Sequence, residues 1–164
     1  MGGGYAAVFE VALDPEFEMR VAADYVDTAP DRDQTIKLDV QNLSPGTTYY
    51  YRFYAQGRVS AIGRTRTAPA GGVERMRVAF CSCSNYSRGY FHVYRRIAER
   101  ADLDVVLHLG DYIYENAASA DHPRQVLPDR EILTLEDYRT RYATYRTDPD
   151  LQEFHRQHPV IAVW

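Results

Sequence analysis

The sequence contains only two cysteines among its 164 residues, Cys81 and Cys83. Two cysteines exclude the disulfide framework of a small secreted scaffold, which needs several pairs. They also exclude a four-sulfur zinc site, because there is no second pair of thiols. One position separates the two cysteines in a predicted strand, so their side chains would share one side and a bridge between them would be strained. A single thiolate remains available as a metal ligand.

Long apolar runs and runs of basic residues are also missing. No stretch approaches the roughly 18–20 apolar residues that a membrane-spanning helix requires. Residues 1–5 contain neither a basic nor an apolar leader segment, so no export signal is visible. The formal net charge of −4 and the lack of a basic patch argue against nucleic acid as a partner. A hydrophobic fraction of 45% and a charged fraction of 26% are ordinary for a globular protein.

Residues 1–70 predict an all-β domain. Short segments rich in alternating, β-branched or aromatic residues are separated by turn residues. The predicted strands cover residues 8–13, 17–23, 35–40, 47–54 and 59–67. The run Leu43-Ser-Pro-Gly-Thr-Thr-Tyr-Tyr-Tyr-Arg52 resembles a fibronectin type III-like module, in which a tyrosine hydroxyl bonds nearby backbone. We therefore expect a fibronectin III-like β-sandwich that lacks its first strands, and a domain boundary in the glycine-rich residues 68–72.

Residues 74–164 predict a second domain that combines strands and helices. Apolar runs at residues 76–80 and 103–109 have the length of strands, and a helical pattern at residues 90–100 lies between them. Strand, helix and strand make a βαβ unit, whose strands are parallel neighbours with a right-handed crossover. The chain as a whole is therefore predicted to be α+β in two parts.

The rest of the second domain is predicted to be a long loop, two helices and a strand. Residues 116–132 show no periodicity, which is typical of a functional or disordered loop. A capping-box pattern begins one helix at Thr134, and Asp148 followed by Pro149 begins another. Residues 160–164 are again apolar and predict a strand.

Side chains that can bind metal follow both strands of the βαβ unit. Cys83 comes after the first strand, and Asp111 and Tyr114 come after the second. Reacting groups in open α/β sheets gather beyond the carboxyl ends of the strands, so we expect these three residues to lie close together. A carboxylate can bridge two metal ions in a hydrolytic site. Thiolate, phenolate and carboxylate together suit iron better than magnesium or calcium.

Each of these residues has a structural interpretation when it is taken alone. A lone cysteine is more often a small buried hydrophobe, and most of the fourteen tyrosines must be packing residues. His108 lies in the middle of a strand and is predicted to be a core histidine. The remaining histidines are predicted to be surface or capping residues: His92, His122, His155 and His158. Three arginines are predicted to form a solvated helix face, with contact of one of them to a phosphate oxygen as the alternative: Arg139, Arg141 and Arg146.

Several segments resemble the PhoD-like family, the alkaline phosphatase D type of phosphatase and phosphodiesterase. They are Phe80-Cys-Ser-Cys-Ser-Asn-Tyr86, Gly89-Tyr-Phe91, His108-Leu-Gly-Asp-Tyr-Ile-Tyr-Glu115, Thr134-Leu-Glu-Asp-Tyr-Arg139 and Asp148-Pro-Asp-Leu151. The resemblance implies a metallophosphoesterase with an αββα sandwich and with Fe3+ and Ca2+ at its centre. By residue matching, Cys83 and Tyr114 are implied iron ligands and Asp111 the bridging carboxylate. The Gly-Asp-x-x-Tyr pattern is also similar to purple acid phosphatases.

The resemblance also implies residues that this sequence does not contain. In the family, a strand like residues 160–164 leads into an Asp-Asp-His-type motif with further ligands, and members are generally exported, often by the twin-arginine route. These ligands would lie beyond Trp164. We therefore expect an N-terminal portion of a secreted or periplasmic enzyme whose partner is a phosphate ester, with little or no activity by itself.

Two other functions remain open. One is a fibronectin-like binding module that carries a non-catalytic α/β appendage. The other is a redox protein that uses Cys81 and Cys83, although their C-x-C spacing differs from the C-x-x-C of thioredoxin-like motifs.

Overall fold

The computed structural model describes residues 3–163. The chain divides into two compact units, Met1–Glu74 and Arg75–Trp164. The first unit is built from strands and the second from strands and helices, so the fold class is α+β. Among the described residues, no helix is long and apolar enough to cross a membrane.

One antiparallel sheet contains the strands of the first unit. They are β1 (Ala6–Ala12), β2 (Arg20–Asp27), β3 (Thr48–Ala55), β4 (Arg58–Val59) and β5 (Gly63–Arg66). β1 lies between β2 and β3, and β3 pairs with both β4 and β5. Because the described strands share a single sheet, the expected two-sheet fibronectin-like sandwich is not confirmed.

The predicted strand at residues 35–40 is wrong, because this segment pairs with no other strand in the described chain. Turns bound it on both sides. Asp33 and Gln34 have φ of 54° and 56°, and Asn42 has φ of 62°. Leu38, in the middle, is exposed. The alternating pattern therefore belongs to an extended surface segment, and alternation alone does not supply a partner strand.

Side chains on three neighbouring strands hold the first sheet together. The carboxylate of Glu10 on β1 accepts hydrogen bonds from Arg20 on β2 at 2.8 Å and from Arg52 on β3 at 2.7 Å. These two hydrogen bonds lower the pKa of Glu10 below its usual value. Tyr49 on β3 is buried, and its hydroxyl accepts a hydrogen bond from the Ser44 N–H at 2.8 Å. The structural role predicted for a tyrosine in this strand is thus confirmed.

A three-stranded parallel sheet forms the base of the second unit. Its elements are β6 (Val78–Cys81), α1 (His92–Ala98), β7 (Val105–His108), α2 (Leu135–Tyr145), α3 (Pro149–Gln157) and β8 (Val160–Ala162). The strand order is β6-β7-β8, and α1 connects β6 with β7, so the predicted βαβ unit is confirmed. β7 is central, which explains its apolar sequence. Trp164, the last residue of the predicted final strand, lies outside the described residues.

Both helices predicted after the long loop are confirmed. Each begins at residues whose side chains cap the first turn. Thr134 and Asp137 exchange side-chain and backbone hydrogen bonds in a capping box before α2. Asp148 accepts from two N–H groups at the start of α3, where Pro149 is the first helical residue. Leu151 on α3 is completely buried. The long loop at residues 116–132 contains no helix or strand, as predicted.

Candidate metal centre

Backbone hydrogen bonds join the two loops that carry the predicted metal ligands. The Cys83 N–H donates to the Gly110 carbonyl at 3.1 Å, and the Ser84 N–H donates to the Asp111 carbonyl at 2.9 Å. Because β6 and β7 are parallel neighbours, both loops leave the sheet at the same edge. These bonds continue the strand pairing beyond β6 and β7 and hold Cys83 beside Asp111.

The three predicted ligands lie together around one carboxylate oxygen. The Cys83 thiol donates to Asp111 Oδ2 over 3.5 Å, and the Tyr114 hydroxyl donates to the same oxygen over 3.0 Å. Cys83 and Asp111 are exposed, and Tyr114 is half-buried. Loss of solvent contact, followed by the hydrogen bonds to Asp111 and Cys83, raises the pKa of the Tyr114 phenol well above its usual value. In the absence of a cation, therefore, the phenol keeps its proton.

The composition of this trio also fits a metal. Residues 3–163 contain no group of three or more His, Cys, Asp and Glu side chains that could hold a metal ion. Tyr114 adds a phenol oxygen beside the Asp111 carboxylate, so the trio offers one thiol, one carboxylate and one phenol. A bound cation would replace the two protons now held between the side chains, because a large local positive charge favours thiolate and phenolate.

The backbone at two of the three residues is strained. Cys83 has φ of 59° and Asp111 has φ of 53°, in the left-handed region that side-chain-bearing residues rarely adopt. In the described part of the second unit, they are the only non-glycine residues with positive φ. Such positions cost on the order of 1–3 kcal/mol and cluster at functional sites. The prediction that Cys81 and Cys83 share a strand is wrong, because β6 ends at Cys81.

His108 is a core histidine, as predicted. It is fully buried, and its Nε2 lies 2.8 Å from the Ser84 hydroxyl and 3.2 Å from the Tyr94 hydroxyl. Burial lowers the pKa of His108. Because Ser84 directly follows Cys83 and Tyr94 lies on α1, this contact fixes the thiol-bearing loop to the body of the unit.

Arg141 does not lie on a solvated helix face, and that prediction is wrong. The side chain is completely buried, and burial lowers its pKa. A guanidinium has five N–H donors. The structure gives Arg141 hydrogen bonds to five backbone carbonyl oxygens, those of Tyr114, Asn116, Leu127, Pro128 and Arg130. Arg141 thus connects the loop that carries Tyr114 to the far end of the long loop.

The sequence contains a signal that Arg141 is buried, although the positive charge of an arginine favours a surface position. Tyr138, Tyr142 and Tyr145 have the spacing of one stripe of α2, and Arg141 lies three residues after the first and four before the last. Residues with that spacing lie on the same side of a helix. An arginine inside such an inward stripe has to satisfy its donors with buried acceptors, and here these are loop carbonyl groups.

His122 is half-buried in the long loop, and two of the other three remaining histidines are also more buried than predicted. His158 is buried, and its Nε2 donates to the Ile97 carbonyl at 2.9 Å. His155 is half-buried beside the Tyr112 hydroxyl at 2.7 Å, and burial lowers the pKa of His155 to about 3. His92 is exposed and pairs with a carboxylate of α3 at 2.9 Å, so its surface position is confirmed. None of the three contacts the candidate ligands.

Tyr145 on α2 supports both loops of the site, and its removal gives a first prediction. The buried hydroxyl accepts from the Tyr86 N–H at 3.2 Å and from the Tyr114 N–H at 3.3 Å. Tyr145→Phe should destabilise the protein by about 2 kcal/mol, because two partly buried N–H groups lose their acceptor. Hydrogen exchange should accelerate at the amides of Tyr86 and Tyr114, measured by NMR or mass spectrometry.

The matched control is Tyr142→Phe on the same helix. Tyr142 stacks on Tyr112, and no hydrogen bond of its hydroxyl is seen in the described chain. We expect Tyr142→Phe to change the free energy of unfolding by less than about 0.5 kcal/mol. Unchanged exchange at both amides in Tyr145→Phe would show that the hydroxyl does not hold the loops.

Comparison with known proteins agrees with this architecture. The model of the family described as PhoD-like phosphatase matches residues 78–164, which contain all three candidate ligands. The chain belongs to the PhoD-like phosphatase family. The model of the PhoD-like phosphatase N-terminal domain matches residues 4–69 of the first unit.

Relatives of this family resemble the whole chain. Alkaline phosphatase D of Bacillus subtilis (strain 168) is 37% identical over 162 residues, which are 95% of this chain and 28% of that protein. A solved structure described as "Structure of PhoD" matches with a TM-score of 0.93 at 35% identity, over 100% of this chain and 33% of that one. The chain therefore spans about a third or less of the length of these PhoD-like relatives.

Proposed function

We propose that this chain provides the first part of the active site of a metal-dependent enzyme that hydrolyses phosphate mono- or diesters. The observation that carries the proposal is the convergence of Cys83 and Tyr114 on a single oxygen of Asp111 at the edge of a parallel sheet. Membership in the PhoD-like family supports the reaction class.

The donor set fits the metals that the family resemblance implies. Cys83 and Tyr114 would hold Fe3+, because thiolate and phenolate suit a transition metal. Asp111 has two carboxylate oxygens and would bridge to Ca2+, which prefers oxygen ligands. When bound, such ions polarise the phosphoryl group and provide hydroxide near neutral pH. Asp111 would be the one residue of this chain that contacts both ions, and in this sense the central catalytic group.

Protons on the candidate ligands and hydrogen bonds to their loops determine how the site would bind a cation. Without metal, Cys83 and Tyr114 each hold a proton against Asp111. Binding of a cation requires the loss of these protons, so metal affinity should rise with pH. Arg141 and Tyr145 hold the backbone of Tyr114, which keeps the phenol near the carboxylate. The β6 loop is held in turn by Ser84 against His108.

We further propose that the activity needs residues outside this sequence. The resemblance implies additional ligands after the strand at residues 160–164, and three side chains alone should bind metal weakly. The protein would act outside the cytoplasm, as members of the family generally do. Hydrolysis by this chain alone should therefore be undetectable.

A chimaera tests the proposal directly. The residues of this chain replace the matching 28% of B. subtilis alkaline phosphatase D. We expect the chimaera to contain iron and calcium, measured by elemental analysis, and to hydrolyse a chromogenic phosphodiester, whereas the 164-residue chain alone should not. A chimaera that is folded by circular dichroism but metal-free and inert would overturn the proposal.

A further inference from the structure

A small polar cavity lies beside Tyr114, between the loop after β6, the long loop and α2. Its volume is about 80 Å³. That is the space of roughly two to three water molecules, at about 30 Å³ each in the liquid. A phosphate-sized group fits such a space, whereas a sugar ring or a nucleobase does not. Arg141 and Tyr145 form part of the wall, and both are already engaged by the backbone.

The other polar groups that line the cavity offer donors. The Asn85 side-chain oxygen accepts from the Ser87 hydroxyl at 2.9 Å, and within residues 3–163 no hydrogen bond of the Asn85 amide NH2 is seen. His122 Nδ1 accepts from the Ser119 N–H at 3.2 Å, so the proton of the neutral ring is on Nε2. Asn116 also lines the cavity.

Arg88 gives the cavity its charge. It is exposed, and no ion pair or hydrogen bond of its guanidinium is seen among the described residues. No Asp or Glu side chain lines the cavity within the described chain. A free guanidinium next to amide and imidazole donors recognises an oxyanion such as phosphate, because each donor can reach one of its oxygens.

The cavity adjoins the candidate metal centre without being part of it. Tyr114 belongs to both, but Cys83 and Asp111 do not line the cavity. A group bound there would contact Tyr114 but neither Cys83 nor Asp111. We propose that this cavity is a binding subsite for a second oxyanion of the substrate, a phosphate carried near the phosphoester that is hydrolysed. This inference rests on the proposed function for its substrate, but not for the anion binding itself.

Phosphate binding tests the subsite without metal or catalysis. Inorganic phosphate is titrated into the metal-free chain, and NMR follows the side-chain amides of Asn85 and Asn116 and the Nε–H of Arg88. We expect saturable shifts of these signals. Arg88→Gln should weaken binding about 10-fold, because a charge-assisted hydrogen bond is lost. Arg96→Gln is the control, because Arg96 is an exposed arginine on α1 that does not line the cavity.

Two results of the titration would contradict the subsite: shifts that do not saturate, and equal affinity of Arg88→Gln and the unaltered chain. Asp111→Asn should leave phosphate binding unchanged, because Asp111 lies outside the cavity. Binding lost in Asp111→Asn but kept in Arg88→Gln would also overturn the proposal, since the phosphate would then occupy the ligand cluster.

Kinetics of the chimaera identify the source of the oxyanion. For an ester with a second phosphate, Arg88→Gln should raise KM about 10-fold with little change in kcat. For an ester without one, kcat/KM should change less than about 2-fold. An equal loss for both esters would assign Arg88 to the hydrolysed phosphoryl group and overturn the proposal. An inert unaltered chimaera would refute the proposed function, while the phosphate titration would still decide the subsite.

Discussion

Asp111→Asn is expected to reduce kcat/KM of the chimaera by about 10³-fold or more and to remove most of its bound metal. Asparagine keeps the shape of the side chain but offers one neutral carbonyl oxygen in place of two anionic oxygens, so it cannot bridge two cations. The hydrogen bonds from Cys83 and Tyr114 also lose their charged acceptor. Elemental analysis and steady-state kinetics on a chromogenic phosphodiester measure the two effects.

The substitution separates charge from backbone conformation. Asp111 has φ of 53°, and asparagine tolerates this left-handed region as well as aspartate does. The free energy of unfolding of Asp111→Asn should therefore lie within about 1 kcal/mol of that of the unaltered protein. Asp102→Asn is the control, because Asp102 is a surface carboxylate paired with Arg100 at 2.8 Å. If Asp111→Asn kept full activity and metal, Asp111 would not be the bridging ligand.

The second unit was predictable because its signals are local. Thr134, Asp148 and Pro149 mark helix starts by chemistry that acts within one turn, and both helices begin where they predict. The βαβ unit follows from two apolar runs around a helical pattern, and its handedness and parallel pairing are general rules. The same rules predict that Cys83 and Asp111 lie at one edge of the sheet.

Features that depend on distant partners were not predictable in the same way. Residues 35–40 alternate like a strand, but pairing needs a neighbouring edge, and none is used in the described chain. The backbone of Cys83 is left-handed, and its N–H donates to Gly110 in another loop. Arg141 is buried because five carbonyl groups of separate segments surround it. Each of these facts is set by contacts that are remote in sequence.

Arg141→Met should destabilise the second unit by about 3–5 kcal/mol, because buried acceptors left without a donor cost about 1–3 kcal/mol each and some regain water. Methionine has a similar length and fills much of the space, so the loss reports on hydrogen bonds more than on packing. The free energy of unfolding of Arg141→Lys should lie between those of the unaltered protein and Arg141→Met. An ammonium has three donors for the five carbonyl oxygens. Denaturant unfolding followed by circular dichroism measures both.

Arg146→Met supplies the matched control at the end of the same helix. Arg146 is exposed, and in the described part of the chain its guanidinium makes one long hydrogen bond, of 3.4 Å to Tyr112. Loss of this side chain should therefore cost less than about 0.5 kcal/mol. Equal free energies of unfolding of Arg141→Met and Arg146→Met would show that the carbonyl contacts do not stabilise the fold. If Arg141→Met is strongly destabilised instead, the loop that carries Tyr114 depends on a buried guanidinium. A ligand on that loop then keeps its position beside Asp111 only while α2 and the long loop stay packed together.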